Sequence, residues 1–302
     1  MTEDAFFADL FHSLPTPPPP VVVPPGDDCA AIDNGDGTLT LLAVDQIVGG
    51  RHYKVDRHRP SPEAIGGKLL ARNLSDIAAM GGVPLFCLVS LAMPPERSPA
   101  WQARLLRGIA DRAALLNVHM IGGDLARTTT DEVGSLTIVG RVEKKRAVLR
   151  GGARPGDVLL ATGTFGGAVD SGHHLSFSPR LAEGQWLAAS GAVTAMIDVS
   201  DGLLLDAGRL SAMSGVGLRL DAEAVPRRAP GLTLENVLTD GEDYELLAAV
   251  KAGAVDTLLR DWPFAEPALT PVGWFVEEPA GVVDAAGRPF PFAAAGYDHL
   301  RG

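Results

Sequence analysis

Five short stretches of this 302-residue chain set acidic side chains beside glycine or at the end of an apolar run. They are Gly26-Asp27-Asp28, Val44-Asp45, Gly122-Gly123-Asp124, Asp198-Val199-Ser200-Asp201-Gly202 and Asp240-Gly241-Glu242-Asp243. Such a chain must deliver carboxylates from strand ends and tight turns. Glycine lets the backbone turn sharply and approach a ligand closely. A short aspartate at such a turn presents a hard oxygen of the kind Mg²⁺ prefers, and metal ions of this class neutralise phosphate charge in phosphoryl transfer. Turns also favour Asp and Gly for local reasons, so the residues alone leave both readings open.

The charge balance narrows the partners. Lys plus Arg is 26 against 37 for Asp plus Glu, a formal charge of −11. That balance argues against nucleic acid, whose phosphates need a basic footprint. No apolar run reaches the roughly 18 residues that span a bilayer. The N-terminal stretch carries Glu3, Asp4 and Asp9, the opposite of a secretory leader. A cytoplasmic protein with no membrane partner is expected. Cys29 and Cys87 have no CxxC spacing, which disfavours a disulfide framework or a zinc ribbon, and Cys87 in its apolar run reads as a buried, inert thiol.

Along the chain, Pro15 to Pro25 predicts a stiff extended lead-in. Thr38 to Val44 reads as a buried strand ending at Asp45, followed by a polar, basic loop through His58. Ser61-Pro62-Glu63 is a helix start, with a serine N-cap and proline at the first helical position, and Gly81-Gly82-Val83-Pro84 ends that helix. Strands are predicted over 85–93, 118–121, 135–142, 158–162 and 195–199, and further helices around Trp101–Leu116, Arg180–Ser190 and Gly202–Ser214. After Ala252 the punctuation is weak. A boundary near 143–156 divides the chain into domains 1–145 and 146–302, and the order of elements gives two mixed α/β or α+β domains.

Asn73 and Asp76 lie three apart on one helix among Leu69, Leu70, Leu74, Ile77 and Met80. A carboxylate buried there needs a partner or a metal, whereas one on the wet face needs neither. Common phosphate-binding signatures are missing: Gly66-Gly67-Lys68 lies inside a helix without Walker A spacing. Gly163-Thr164-Phe165-Gly166-Gly167 has the composition of a phosphate cradle but no full dinucleotide fingerprint. His173-His174 reads as a polar loop.

Taken together and in order, certain motifs resemble the thiamine-monophosphate kinase family of the aminoimidazole-ribonucleotide-synthetase-like superfamily. They are Gly26-Asp27-Asp28-Cys29-Ala30, Asn73 through Gly81 (NLSDIAAMG), Ile121-Gly122-Gly123-Asp124, Arg150 through Asp157 (RGGARPGD), Ile197 through Leu203, Gly241 through Leu246 (GEDYEL) and Gly296-Tyr297-Asp298-His299. The resemblance implies an N-terminal α+β domain whose mixed sheet pairs with its twin in a homodimer, and a C-terminal α/β domain. It implies ATP as co-substrate, several Mg²⁺ ions, and direct transfer of the γ-phosphate to thiamine phosphate with no covalent enzyme intermediate. By the same resemblance Asp28, Asp45, Asp76, Asp124, Asp198 and Asp201 would hold magnesium. Gly123, Arg150 and Ser200 would contact ATP, and His52, Glu242 and Tyr297 would face thiamine phosphate.

This sequence departs from the family pattern at three places. Ala43-Val44 supplies no hydroxyl where the family has Ser-Thr before the strand-end Asp45. The lead-in is proline-rich, and the segment between Gly167 and Pro179 is shorter than usual. These departures keep two alternatives in view: a relative acting on another small-molecule acceptor, and a non-catalytic nucleotide-binding relative. Selenophosphate synthetase is disfavoured because no Cys-Gly-Lys type motif occurs near the N-terminus, and the hydrogenase-maturation relative because the C-terminal residues contain no cysteine.

Overall fold

The computed structural model describes residues 1–56 and 58–300. Arg57 of the predicted polar loop, and Arg301 and Gly302 of the predicted second domain, lie outside the described residues. Strands β1 (Val21–Val23), β2 (Ala30–Asp33), β3 (Thr38–Val48), β4 (Val83–Met93), β5 (His119–Arg127) and β6 (Val133–Glu143) form one sheet in the order β1-β2-β3-β6-β4-β5, with β4 and β5 parallel. A second sheet has the order β12-β9-β11-β7-β10-β8. It is built from β7 (Val158–Thr162), β8 (Val193–Val199), β9 (Gly217–Leu220), β10 (Glu245–Val250), β11 (Leu269–Val276) and β12 (Gly281–Asp284). Only β12 and β9 run parallel there, so both sheets are mixed.

The helices are α1 (Glu3–Ser13), α2 (Pro62–Ala79), α3 (Pro99–Leu115), α4 (His173–Ser176), α5 (Leu181–Ala189), α6 (Leu203–Ser214), α7 (Leu234–Thr239) and α8 (Val255–Asp261). Ser61 and Ser98 cap α2 and α3, each accepting an N–H from the first turn, with proline following.

Strand alternation decides what each sheet face does. In the first sheet Leu41, Cys87, Leu91, Leu136 and Ile138 point to a buried face covered by α2. Val44, Phe86 and Leu88 point the other way and are exposed, with Val44 and Leu88 in one cross-strand row with Gly122. Every residue of edge strand β5 is exposed.

Helix α2 is buried along nearly its whole length because it serves both halves of the chain. One side meets β3 and β6, and the other meets α5 and β8. Its apolar residues Leu69, Leu74 and Ile77 therefore share one core with Leu136 and Ile138 of the first sheet and Leu187, Met196 and Leu246 of the second half. Small residues permit this crowding. A Cβ on Gly66 would sit 2.1 Å from the Leu105 carbonyl oxygen, and one on Gly184 would sit 2.1 Å from that of Ala78.

Several expectations need correction. β3 does not end at Asp45 but runs to Val48, because Asp45 keeps its ladder pairing opposite Leu136 while its side chain finds a partner on α2. The proline-rich lead-in contains β1, where Val21-Val22-Val23 has the free N–H groups to pair with β2. His173-His174 is not a polar loop; the pair opens α4, and His174 is buried with its Nδ1 3.1 Å from the Ala168 carbonyl. Helix α1 had no expectation attached to it. Its Asp4 binds Arg209 of α6 at 2.9 Å.

Candidate active site

Two of the acid-bearing stretches converge with an acid of α2. Asp28 follows the Gly26-Asp27 turn, Asp76 projects from the last turns of α2, and Asp198 sits near the end of β8. Each offers one carboxylate oxygen, and these oxygens lie within 4.8 Å of one another. Burial drives the Asp76 and Asp198 carboxyls well above the usual range, and neighbouring carboxylates push the same way: Asp45 then Asp198 on Asp76, and Asp28 on Asp198. Arg150 gives Asp28 Oδ1 a 2.7 Å hydrogen bond, yet Asp28 Oδ2 is buried without any partner. One guanidinium facing three carboxylates leaves an excess of negative charge, and the donors are hard oxygens. The set fits a divalent cation.

The helix pair predicted to act together is split by its geometry. Asp76 joins the cluster, whereas Asn73 Oδ1 accepts the Asp45 backbone N–H at 2.9 Å and its Nδ2 donates to the Leu69 carbonyl at 2.8 Å. Asp45 itself stands outside the cluster, gripped by Arg72 of α2 at 2.9 Å. Asp201 also stands apart, paired with Arg209 at 2.7 Å, but that guanidinium is shared with Asp206 and Asp4. Asp206 accepts the backbone N–H groups of Ser200 and Asp201, both at 3.0 Å, and so fixes the turn that opens α6. Burial raises its carboxyl to about 6 against the pull of Arg209.

These groups border a cavity of about 1080 Å³. Asp28, Asp45, Asp76, Arg150, Asp198, Ser200 and Asp201 line it, and so do Phe7 and Phe11 of α1 and the C-terminal Phe290 and Phe292. With divalent cations on its carboxylates the acidic wall would hold a polyanion, and the aromatic side chains suit a flat apolar part of the same ligand. Gly123 and Asp124 do not line it; they lie on exposed β5, with Asp124 opposite Ser90 of β4.

A second cavity, about 630 Å³, gathers His52, Glu242 and Tyr297 together with Arg72, His174, Tyr244 and His299. Glu242 and Tyr244 both have positive φ, 73° and 52°, a conformation costly for side-chain-bearing residues. Backbone hydrogen bonds of 2.7 Å to the Ser200 and Val199 carbonyls hold them there. Glu242 is further tied by Lys68 at 2.6 Å and accepts from the Tyr244 hydroxyl at 3.0 Å. Burial would raise its carboxyl, but Lys68 and Arg72 overcome this and hold it below its ordinary value. Lys68 is fully buried, donates also to the His52 carbonyl, and is brought down to about 8 by burial.

His52 Nδ1 accepts the Val48 N–H at 2.9 Å, which places the ring proton on Nε2. Burial, with Arg72 next, lowers this imidazole to about 3. The short 167–179 segment forms part of the same cavity wall, from Val169 through Leu175. Ser200 and Asp201 line both cavities.

The glycine-rich turn 163–167 is not a phosphate cradle. The Gly166 amide is taken by Asp243 and the Gly167 amide by Asp240, at 3.0–3.2 Å. Sequence reasoning missed Lys68 and Arg72, which hold Glu242 and Asp45, and Asp206, which fixes the turn at Ser200 and Asp201. The Gly66-Gly67-Lys68 tripeptide was the one available signal, and it failed as a phosphate motif because the lysine serves a carboxylate instead.

Comparison with known proteins is consistent along the chain. The family model for AIR synthase related protein, N-terminal domain, matches residues 26–142, and that for the C-terminal domain matches 154–285. A thiamine-monophosphate kinase of Bacillus subtilis is 32% identical over 279 residues, covering 84% of this chain and 85% of its own. One from Rhodopirellula baltica is 36% identical over 242 residues, covering 74% and 75%. Among solved structures, AaThiL complexed with AMPPCP and TMP superposes with a TM-score of 0.83 over 99% of this chain and 97% of its own, at 24% identity, a likeness of fold.

Proposed function

Because the chain belongs to the thiamine-monophosphate kinase family of AIR synthase related proteins, we infer that it transfers the γ-phosphate of ATP to thiamine phosphate, yielding thiamine diphosphate. The observation that carries this reading is the shared wall: Ser200 and Asp201 border both the acidic, aromatic cavity and the cavity holding His52, Glu242 and Tyr297. Adjacent cavities bring donor and acceptor phosphates together, as phosphoryl transfer by positioning and charge neutralisation requires.

ATP is assigned to the larger cavity, with its phosphates toward Arg150 and Ser200. Asp28, Asp76 and Asp198 are proposed to hold Mg²⁺, and Asp201, on the wall of the same cavity, is proposed as a ligand of a further ion. When bound, the ion neutralises phosphate charge. The orphaned Asp28 Oδ2 supports this assignment. In the smaller cavity, the ionised Glu242 suits an aminopyrimidine donor, and the Tyr297 ring suits a cationic thiazolium. His52, neutral at cellular pH, offers Nε2–H without adding charge.

The partner we propose is a second copy of the chain. Exposed Val44, Phe86 and Leu88 make an apolar sheet face bordering the larger cavity, and edge strand β5 is uncovered. Packing two such faces supplies a route for Gly123 and Asp124 of one copy to approach the nucleotide of the other. Among the described residues no helix is long and apolar enough to cross a membrane, and the reading implies a cytoplasmic enzyme.

The test is incubation of purified protein with ATP, Mg²⁺ and thiamine phosphate, following thiamine diphosphate by chromatography. Product that disappears with a chelator is expected. Nucleotide binding without product on this acceptor, but with turnover on another phosphorylated compound, would overturn the acceptor assignment.

A further inference from the structure

We propose that Arg72 takes the place of a divalent cation at Asp45, so that this chain holds metal on Asp28, Asp76 and Asp198 but not on the β3 aspartate. The proposal rests on the kinase reading, whose family resemblance made Asp45 a metal ligand. The residues around Asp45 do not fit that role.

The first reason is geometry. Arg72 Nε donates to Asp45 Oδ2 at 2.9 Å, Nη2 reaches Oδ1 at 3.4 Å, and Nη1 donates to the Gln46 carbonyl at 2.9 Å. Both carboxylate oxygens are thus engaged by one planar fork, the pairing for which guanidinium is shaped. Arg72 is mostly buried on α2, where its stem is held by the core, so the fork is preorganised. Asn73 offers no replacement ligand, because its Oδ1 already accepts the Asp45 N–H.

Charge balance separates this carboxylate from the others. Asp45 and Arg72 form a one-to-one pair, and the other acid near Arg72, Glu242, has Lys68. Asp201, in contrast, shares Arg209 with two more carboxylates, and among the described residues the Asp28, Asp76 and Asp198 cluster has Arg150 alone as an ion-pair partner. Asp45 has a guanidinium of its own, although its charge still weighs on Asp76, whereas those carboxylates share theirs.

Sequence supplies the third reason. Ala43 and Val44, the residues before Asp45, carry no oxygen. A cation there would find one carboxylate already engaged by Arg72 and, past Leu42 where the β2 ladder stops, bare backbone carbonyls, a thinner oxygen set than a free carboxylate with hydroxyls beside it.

Arg72 also lines the acceptor cavity. Three of its five N–H groups are used in the contacts above, leaving two for an acceptor phosphate. The guanidinium then supplies, from the protein itself, the positive charge that the metal-bearing arrangement would supply from solution.

Counting bound metal tests this directly. The full chain is titrated with Mn²⁺ beside a non-hydrolysable ATP analogue, and free Mn²⁺ is read by electron paramagnetic resonance. Asp45→Asn is expected to bind as many Mn²⁺ ions per chain as the native protein, and Arg72→Met to bind one more. A count lowered by one in Asp45→Asn overturns the proposal, as does an unchanged count in Arg72→Met, since then no cation of either kind acts there. Should Asp45→Asn fail to fold, Arg72→Met decides alone. No acceptor is present in the titration, so a failed kinase assay leaves this count untouched and the two readings fail separately.

Discussion

Asp76→Asn should make the metal-free protein more stable while removing its activity. The three carboxylate oxygens of Asp28, Asp76 and Asp198 lie within 4.8 Å of one another. At an effective dielectric of about 20, two unit charges at that distance repel by about 3.5 kcal/mol. The metal-free site relieves part of this by keeping protons, which is why burial and the neighbouring acids raise Asp76 and Asp198. An amide that cannot ionise removes the remainder, and a gain of about 1–3 kcal/mol is expected at pH 8, each kcal/mol worth about 2–4 °C in Tm for a chain approaching this size. The sign with pH follows from linkage. A carboxyl raised in the folded state stabilises fully below its ordinary value of 3.8 and loses that contribution as pH rises through the folded value. The metal-free native protein therefore weakens toward alkaline pH, while the variant lacks this Asp76 term, and the gap between them widens from pH 5 to pH 8. Saturating Mg²⁺ reverses the order, because a ligand at about 100 times its Kd adds about 2.7 kcal/mol to the protein that binds it. Differential scanning calorimetry with and without chelator reads all four conditions. A metal-free variant less stable than the native protein at pH 8 would refute the reasoning, since the carboxylates would then be held together by something other than a missing cation.

Two further outcomes test the frame around the site. Gly66→Ala drives a methyl to 2.1 Å from the Leu105 carbonyl oxygen, so overpacking of about 1–3 kcal/mol should outweigh the helix-propensity gain of about 1 kcal/mol. The urea midpoint falls, whereas Gly208→Ala, whose methyl meets only Val282 Cγ2 at 4.0 Å, should hold or raise it; equal midpoints would sink the argument. The His52 imidazole, lowered to about 3 by burial and Arg72, should show no titration of its ring protons by NMR between pH 5 and 8. A midpoint near 6.5 would mean the ring is solvated and not locked on the Val48 amide.

Much of this was legible in the sequence because local chemistry announced it. The Ser61-Pro62 helix start, apolar periodicity, the acids at glycine turns and the Asn73/Asp76 spacing all rest on interactions within a few residues, and they located α2, α3, β4, β7 and the three converging aspartates. What stayed hidden depends on pairs far apart in the chain. Lys68 reads in the sequence only as part of a failed Walker A match, and its partner Glu242 lies in the other half of the chain. Arg72 appears in the sequence as one more helix cation, and only the fold sets it on Asp45. The weakly punctuated strands after Ala252 were hard to read for a related reason: β11 is paired with β7 and β9, and β12 with β9, so their order follows from tertiary contacts rather than from turns between them. Within the glycine-rich turn 163–167, composition suggested a phosphate site, but the amides went to Asp243 and Asp240 instead.

The position of α2 has a consequence for how this chain can be cut. Because one helix supplies core to both sheets, the link near residue 150 joins two halves that complete each other and do not merely sit side by side. A proteolytic nick in that link should leave a stable, nicked protein whose fragments co-purify, since Leu69, Leu74 and Ile77 still bury Leu187, Met196 and Leu246. Expressed alone, the C-terminal fragment would present that apolar surface to water and aggregate, and adding the N-terminal fragment during refolding should rescue it. Complementation between two inactive pieces, and not a hinge between two independent ones, is the behaviour this architecture builds in.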